Sequence, residues 1–72
     1  MTDTARLKEK IEESGYRMRF IVEKLGISYQ GFLNKMNNEN EFKASEIQCL
    51  CDLLHLKAKE KEAIFFAKSV DK

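Results

Sequence analysis

Two amide side chains four residues apart, Gln30 and Asn34, are suited to specific hydrogen bonding. On a helix this spacing places them on the same face, one turn apart. An amide can donate and accept together, which matches the N6 and N7 edge of adenine. Tyr29 precedes Gln30, and Gly31 removes a side chain where close approach of a ligand needs space. The candidates for reading base edges are therefore Tyr29, Gln30, Gly31 and Asn34.

Positive charge is concentrated in the middle of the chain, although the formal net charge is only +1. Residues 15 to 44 hold five Lys or Arg against three Glu. The overall composition is not that of a strongly basic nucleic-acid binder. The local excess nevertheless surrounds the base-reading candidates. We expect contacts to backbone phosphates from the polar residues that follow them, Lys35, Asn37, Asn40 and Lys43.

Residues that could perform catalysis or hold a metal are few. Cys49 and Cys51 are separated by one residue, and His55 is the single histidine of the chain. These three side chains are too few for a zinc site. A disulfide between the two cysteines would close a minimal loop inside a predicted helix. No catalytic triad, carboxylate pair or glycine-rich phosphate loop is visible. We therefore expect no catalytic residue, no metal, no cofactor and no small-molecule substrate.

The two cysteines also bear on location. As free thiols they suit a reducing cytosol, and the N-terminal residues 1 to 4 are polar. No apolar run approaches the roughly 18 residues that a membrane span requires. We expect a cytoplasmic protein without a membrane partner.

Composition predicts an all-α fold. The chain has 72 residues, no proline and three glycines, with abundant Glu, Lys, Leu and Ile. A chain of this length buries only about 60% of its unfolded surface and has room for one small core. The sequence therefore predicts one domain, residues 1 to 72, with its core over about 4 to 68.

Apolar residues at helical spacing, together with stop and cap signals, divide the chain into five helices. Gly15 and Gly26 are predicted stops, and Asn37-Asn38 a left-handed terminus. Ser28 is the predicted N-cap of the third helix. The expected helices are Thr4 to Ser14, Met18 to Leu25, one from Ser28 to about Asn37, one from about Ser45, and Lys57 to Lys68.

The fourth segment carries three further expectations. Ser45 and Gln48 match the S-x-x-Q pattern of a capping box. Phe42 is expected to anchor the preceding connection to the core. Cys51 falls on the apolar stripe as a small core residue, whereas Cys49 is expected to face outward or into a partner.

The most informative feature is the pair of short helices over residues 18 to 37. A turn of about three residues containing Gly26 joins them, as in the unit that positions a second helix in the major groove of DNA. Val22 is small enough for a close helix crossing, Ile27 fills the space under the turn, and Phe32 closes the core from the second helix.

These residues resemble a known family. The run from Ile21 to Ser28, with Phe32 and Lys35, looks like the helix-turn-helix of phage Cro and repressor proteins of the XRE type. The segment from Phe42 to Gln48 and the run from Leu53 to Leu56 look like prophage-encoded members. The resemblance covers nearly the whole chain. It implies a five-helix bundle of the lambda-repressor type and a transcriptional regulator that binds double-stranded DNA operators, usually as a dimer.

The sequence departs from the family pattern at three places. Val22 replaces the commoner alanine, Asn38 stands where glycine often follows the third helix, and residues 17 to 19 replace a polar lead-in to the second helix. In the family a side chain near that lead-in often contacts phosphate, and helix starts favour anions. The resemblance therefore adds Arg17 and Arg19 to the phosphate candidates, together with Ser28 at the start of the third helix.

Consecutive apolar residues near the end of the chain indicate self-association. Ile64, Phe65 and Phe66 span roughly 200° on a helix, so we expect at least one of them near the surface. All three are candidate contacts of a weak homodimer. In the alternative, Phe66 covers the first helix beside Phe20. The alternative function is a helical protein-interaction module, an adaptor or anti-repressor, and an enzyme is the least favoured class.

Overall fold

Five helices make up the part of the chain that the computed structural model describes, residues 2–66, and no strand occurs there. The structure confirms the all-α fold that composition predicts. The helices are α1 Thr4–Ser14, α2 Met18–Leu25, α3 Tyr29–Met36, α4 Ala44–Leu54 and α5 Ala58–Phe65.

The stop and cap signals of the first three helices act as expected. Gly15 and Gly26 end α1 and α2 in the left-handed conformation, with φ of 79° and 74°, which a side chain would disfavour. The Oγ of Ser28 accepts a hydrogen bond of 2.9 Å from the amide of Gly31 at the start of α3. Asn38, beyond the end of α3, adopts a left-handed φ of 61°. The predicted bounds of α1 and α2 are confirmed.

The start of α4 corrects the capping box predicted at Ser45 and Gln48. The helix begins at Ala44, one residue before Ser45. The Glu46 side chain reaches back instead and accepts 2.8 Å from the amide of Lys43, while Gln48 donates to Asp52. A carboxylate three residues into the helix satisfies a free amide and also suits the positive end of the helix dipole.

The last helix also begins with a glutamate side chain that accepts from a backbone amide three residues earlier. It is shorter than expected. Glu60 accepts 2.9 Å from the amide of Lys57, and α5 ends at Phe65. The predicted end at Lys68 and the predicted core limit at 68 lie outside the described residues.

The starts of α3 and α4 lead to a prediction that compares two serines, one that caps a helix and one that does not. Ser28→Ala removes the oxygen that accepts from Gly31 and is expected to lower the free energy of unfolding by about 1 kcal/mol. Ser45→Ala, at an exposed position inside the first turn of α4, is expected to change it by less than about 0.5 kcal/mol. Urea unfolding followed by circular dichroism measures both. Equal losses would contradict the assignment of the caps.

Every helix contributes to one core, and three aromatic rings cross it. Phe42 lies edge-on to Phe32 at 6.0 Å and to Phe65 at 5.7 Å between ring centroids. The connection before α4 is thus anchored through Phe42, as expected. Cys51 is buried, also as expected, and burial raises the pKa of its thiol. The buried apolar residues are Leu7, Ile11, Ile21, Val22, Phe32, Phe42, Ile47, Leu50, Cys51, Ile64 and Phe65.

The end of α5 corrects part of the predicted dimer surface. Ile64 and Phe65 are both buried in the core, so their side chains are not free to contact a second copy. Phe66 is 57% exposed and keeps that candidate role. Phe20 packs against Tyr16 at 4.9 Å between ring centroids.

Candidate nucleic-acid interface

The outer face of α3 presents the predicted base-reading side chains. Tyr29 and Gln30 are exposed and Asn34 is half-buried, whereas Phe32, about half a turn around α3 from both Gln30 and Asn34, is fully buried. The Nε2 of Gln30 donates 3.0 Å to the Oδ1 of Asn34. The bond orients both amides and leaves the Oε1 of Gln30 and the Nδ2 of Asn34 free for further hydrogen bonds. The structure therefore brings these residues together on one surface.

The absence of a side chain at Gly31 also has an explanation within the protein, besides close approach to a ligand. A Cβ at this position would lie 3.0 Å from the Oγ of Ser28. The same oxygen accepts from the amide of Gly31. A larger residue would therefore crowd the cap that starts α3.

Three of the predicted phosphate ligands are exposed cations at or near the starts of α2 and α4. Arg17 occupies the N-cap position of α2 in an extended conformation and makes no side-chain capping bond. Arg19 and Lys43 are exposed as well. All three side chains are exposed to solvent, and no contact within the described residues withdraws them from it.

The segment after α3 is tied to the start of the chain. The Oδ1 of Asn38 accepts from the amide of Thr2, and its Nδ2 donates to the carbonyl of Thr2, both at 3.2 Å. The amide of Glu39 donates to the carbonyl of Asn34 at 2.9 Å. Asn37 and Asn40 stay exposed in this segment. Sequence reasoning assigned Asn38 its backbone conformation but missed its contact with Thr2, because no local pattern links positions 36 residues apart.

Lys35 is held inside the protein, which corrects its expected role as a phosphate ligand. Its side chain is 11% exposed, and its Nζ lies 2.9 Å from the Oε1 of Glu46, whose side chain is 6% exposed. The same ammonium donates 3.2 Å to the carbonyl of Glu41 and lies 6.0 Å from the ring centroid of Phe42. A phosphate would have to compete with these contacts.

The carboxylate of Glu46 is the centre of this buried cluster. Burial raises its pKa, but the hydrogen bonds from the Lys43 amide and the Lys35 ammonium, with both positive charges, outweigh burial and hold the pKa below its ordinary value. Glu46 is therefore ionised at neutral pH and pairs with Lys35 as a charge.

Cys49 is half-buried rather than turned outward. Its Sγ lies 3.5 Å from the carbonyl of Lys24 at the end of α2. The thiol is thus a contact between α4 and α2, which pack against each other.

A second polar region lies away from α3. An open cleft of about 490 Å³ is lined by Tyr16, His55 and the ion pair of Lys10 with Glu60, at 2.7 Å. That pairing raises the pKa of Lys10 and lowers that of Glu60. Among the described residues, no group of three or more His, Cys, Asp or Glu side chains is arranged to bind a metal ion. None of the helices within residues 2–66 has the length and apolar character needed to cross a membrane.

Comparisons of the chain with protein-family models, with curated proteins and with solved structures find no match.

Proposed function

We propose that this chain is a sequence-specific regulator of transcription of the phage Cro and repressor kind, with α3 reading the major groove of double-stranded DNA. The observation that carries the proposal is the two-sided character of α3. Phe32 anchors it to the core, while Tyr29, Gln30 and Asn34 occupy the outer surface with hydrogen-bonding capacity left over. A major groove admits one α-helix and presents a distinct hydrogen-bonding pattern for each base pair.

The exposed cations supply the positioning contacts of the proposal. Arg17, Arg19 and Lys43 attract phosphates, and the exposed Ser28, Asn37 and Asn40 add neutral hydrogen bonds. With a net charge of +1, the protein gains little from long-range attraction, so specificity depends on the α3 face. Such a regulator acts in the cytoplasm, where its two thiols stay reduced, and its action needs no cofactor.

Neutralising the arginines tests the phosphate contacts. Arg17→Gln/Arg19→Gln is expected to make the slope of log affinity against log salt less steep by up to about 1.8 per bound copy, at about 0.9 for each lost contact. Lys57→Gln/Lys59→Gln removes the same charge from exposed positions at the start of α5 and serves as the control. Fluorescence anisotropy of a labelled duplex between about 50 and 200 mM salt gives both slopes. The same slope in both variants would remove the arginines from the interface.

The proposal includes a weak homodimer through Phe66. One reading helix contacts few base pairs, and a two-fold pair on a palindrome doubles the contacts. Phe66 is the most exposed of the large apolar side chains in the described part of the chain. Sedimentation equilibrium is expected to show two copies per operator and weaker self-association for Phe66→Ser. One wild-type copy per operator would contradict the dimer.

A protein-interaction module is the second candidate function, and one observation favours it. Tyr16 and Phe20 form an exposed aromatic pair, with the Nζ of Lys24 5.4 Å from the ring centroid of Phe20. Aromatic side chains such as these two are enriched in protein interfaces. A wild-type chain that binds no duplex at low salt would favour this candidate over the first.

A further inference from the structure

Lys35 connects three parts of the fold through one ammonium. It stands in the last turn of α3 and binds the carboxylate of Glu46 in the first turn of α4. It also donates to the carbonyl of Glu41 in the loop between them. Because Glu46 accepts from the amide of Lys43, the same cluster fixes both ends of the segment from Glu41 to Lys43.

We infer that Lys35 is a positioning residue, which holds the loop between α3 and α4 so that Asn40 and Lys43 meet the DNA backbone while Lys35 itself touches no DNA. The inference rests on the proposed function. It makes the phosphate contacts of Asn40 and Lys43 depend on Lys35. The loop, residues 37 to 43, carries three of the phosphate candidates, Asn37, Asn40 and Lys43.

The burial of the ion pair separates positioning from direct contact. An ammonium has three protons, and Lys35 uses them toward the carboxylate of Glu46, the carbonyl of Glu41 and the face of Phe42. To reach a phosphate it would have to leave Glu46, whose side chain is 6% exposed. An unpaired buried carboxylate is strongly unfavourable. Lys35 therefore stays with Glu46 when DNA binds.

The consequence for the loop follows from its other attachments. At its start, the amide of Glu39 is bound to α3 and Asn38 is bound to Thr2. At its end, Lys35 and Glu46 provide the polar contacts described above, and Phe42 provides the apolar one. Loss of the ammonium leaves the Glu41 carbonyl and the Glu46 carboxylate without their partner, so the segment that carries Lys43 gains freedom.

The test uses Lys35→Met, with Lys24→Met as a matched control. Lys24 also stands in the last turn of an eight-residue helix and also lies over a phenylalanine ring, but it is exposed. We expect Lys35→Met to weaken duplex binding by roughly tenfold, through loss of order at one or two phosphate contacts, and Lys24→Met to leave it unchanged. Lys35→Arg, which keeps the charge, is expected to recover most of the affinity.

Two readouts separate positioning from general destabilisation. Lys43→Ala is expected to cost much less affinity in the Lys35→Met background than in the wild type, because contacts that depend on one another are not additive. Hydrogen exchange at the amide of Lys43, which is bonded to Glu46, is expected to speed up about tenfold more than exchange in α1. Additive losses in affinity, or equal acceleration at the Lys43 amide and in α1, would overturn the inference.

Glu46→Gln decides between positioning and direct contact. Positioning predicts that Glu46→Gln weakens DNA binding as Lys35→Met does, because the loop loses the same ion pair. Direct contact predicts tighter binding and a steeper salt slope, because Lys35 would be released toward phosphate. A wild type that binds no duplex overturns the proposed function and this inference together. Wild-type binding with unchanged affinity in Lys35→Met overturns the inference alone.

Discussion

Phe32→Ala is expected to leave the chain largely unfolded at 25 °C. Phe32 is fully buried and meets Phe42 edge-on at 6.0 Å. Truncating a buried phenylalanine to alanine costs about 3–5 kcal/mol. A domain of this size has a total stability near that value. Since Phe32 is the buried residue of α3, its loss would also release the reading helix from the core.

Phe66→Ala is the control, because it removes the same ring from a position that is 57% exposed. At protein concentrations too low for self-association, its effect on the free energy of unfolding is expected to stay within about 0.5 kcal/mol. Urea unfolding monitored by circular dichroism compares the two variants with the wild type. A cooperative transition for Phe32→Ala within about 1 kcal/mol of the wild type would show that α3 is held by other contacts.

Gln30→Ala is expected to change which DNA sequence is bound rather than to weaken all sequences equally. A bidentate amide contact to a base discriminates by about 1–3 kcal/mol, or about 5- to 150-fold in affinity. Gln30 also orients Asn34 through their hydrogen bond, so its removal loosens a second reading side chain. Preference is therefore expected to relax at two neighbouring base pairs.

Gln48→Ala is a close control for this substitution. Gln48 is exposed, and its Nε2 donates 3.0 Å to the Oδ1 of Asp52 four residues later, the same local geometry on α4. Selection of binding sites from randomised duplexes should return the wild-type motif for Gln48→Ala and a relaxed motif for Gln30→Ala. An unchanged motif for Gln30→Ala would remove this residue from the reading set.

Local signals in the sequence predicted most of the helix bounds. The ends of α1 and α2 follow from Gly15 and Gly26, because a left-handed glycine that stops a helix can be predicted from a single residue. The start of α4 was misplaced because Ser45 and Gln48 matched the capping-box pattern, whereas in the structure the carboxylate of Glu46 accepts from the amide of Lys43.

The two burial errors have physical causes that no spacing reveals. Ile64 and Phe65 are adjacent yet both buried, since α5 ends there and the carbonyl of Ile64 accepts from the amide of Asp3, which brings the N-terminal segment alongside. Lys35 looked free because its partner Glu46 is eleven residues away across a loop. The shared face of Gln30 and Asn34, by contrast, follows from their spacing alone.

The central claim, that α3 reads the sequence of double-stranded DNA, is tested most directly by competition between two duplexes. One duplex carries the motif that the wild-type protein selects from a randomised library, and the other carries the same bases in shuffled order. At about 150 mM salt we expect at least ~10³-fold tighter binding to the selected duplex. Equal affinity for the two duplexes, or binding to neither, would contradict it.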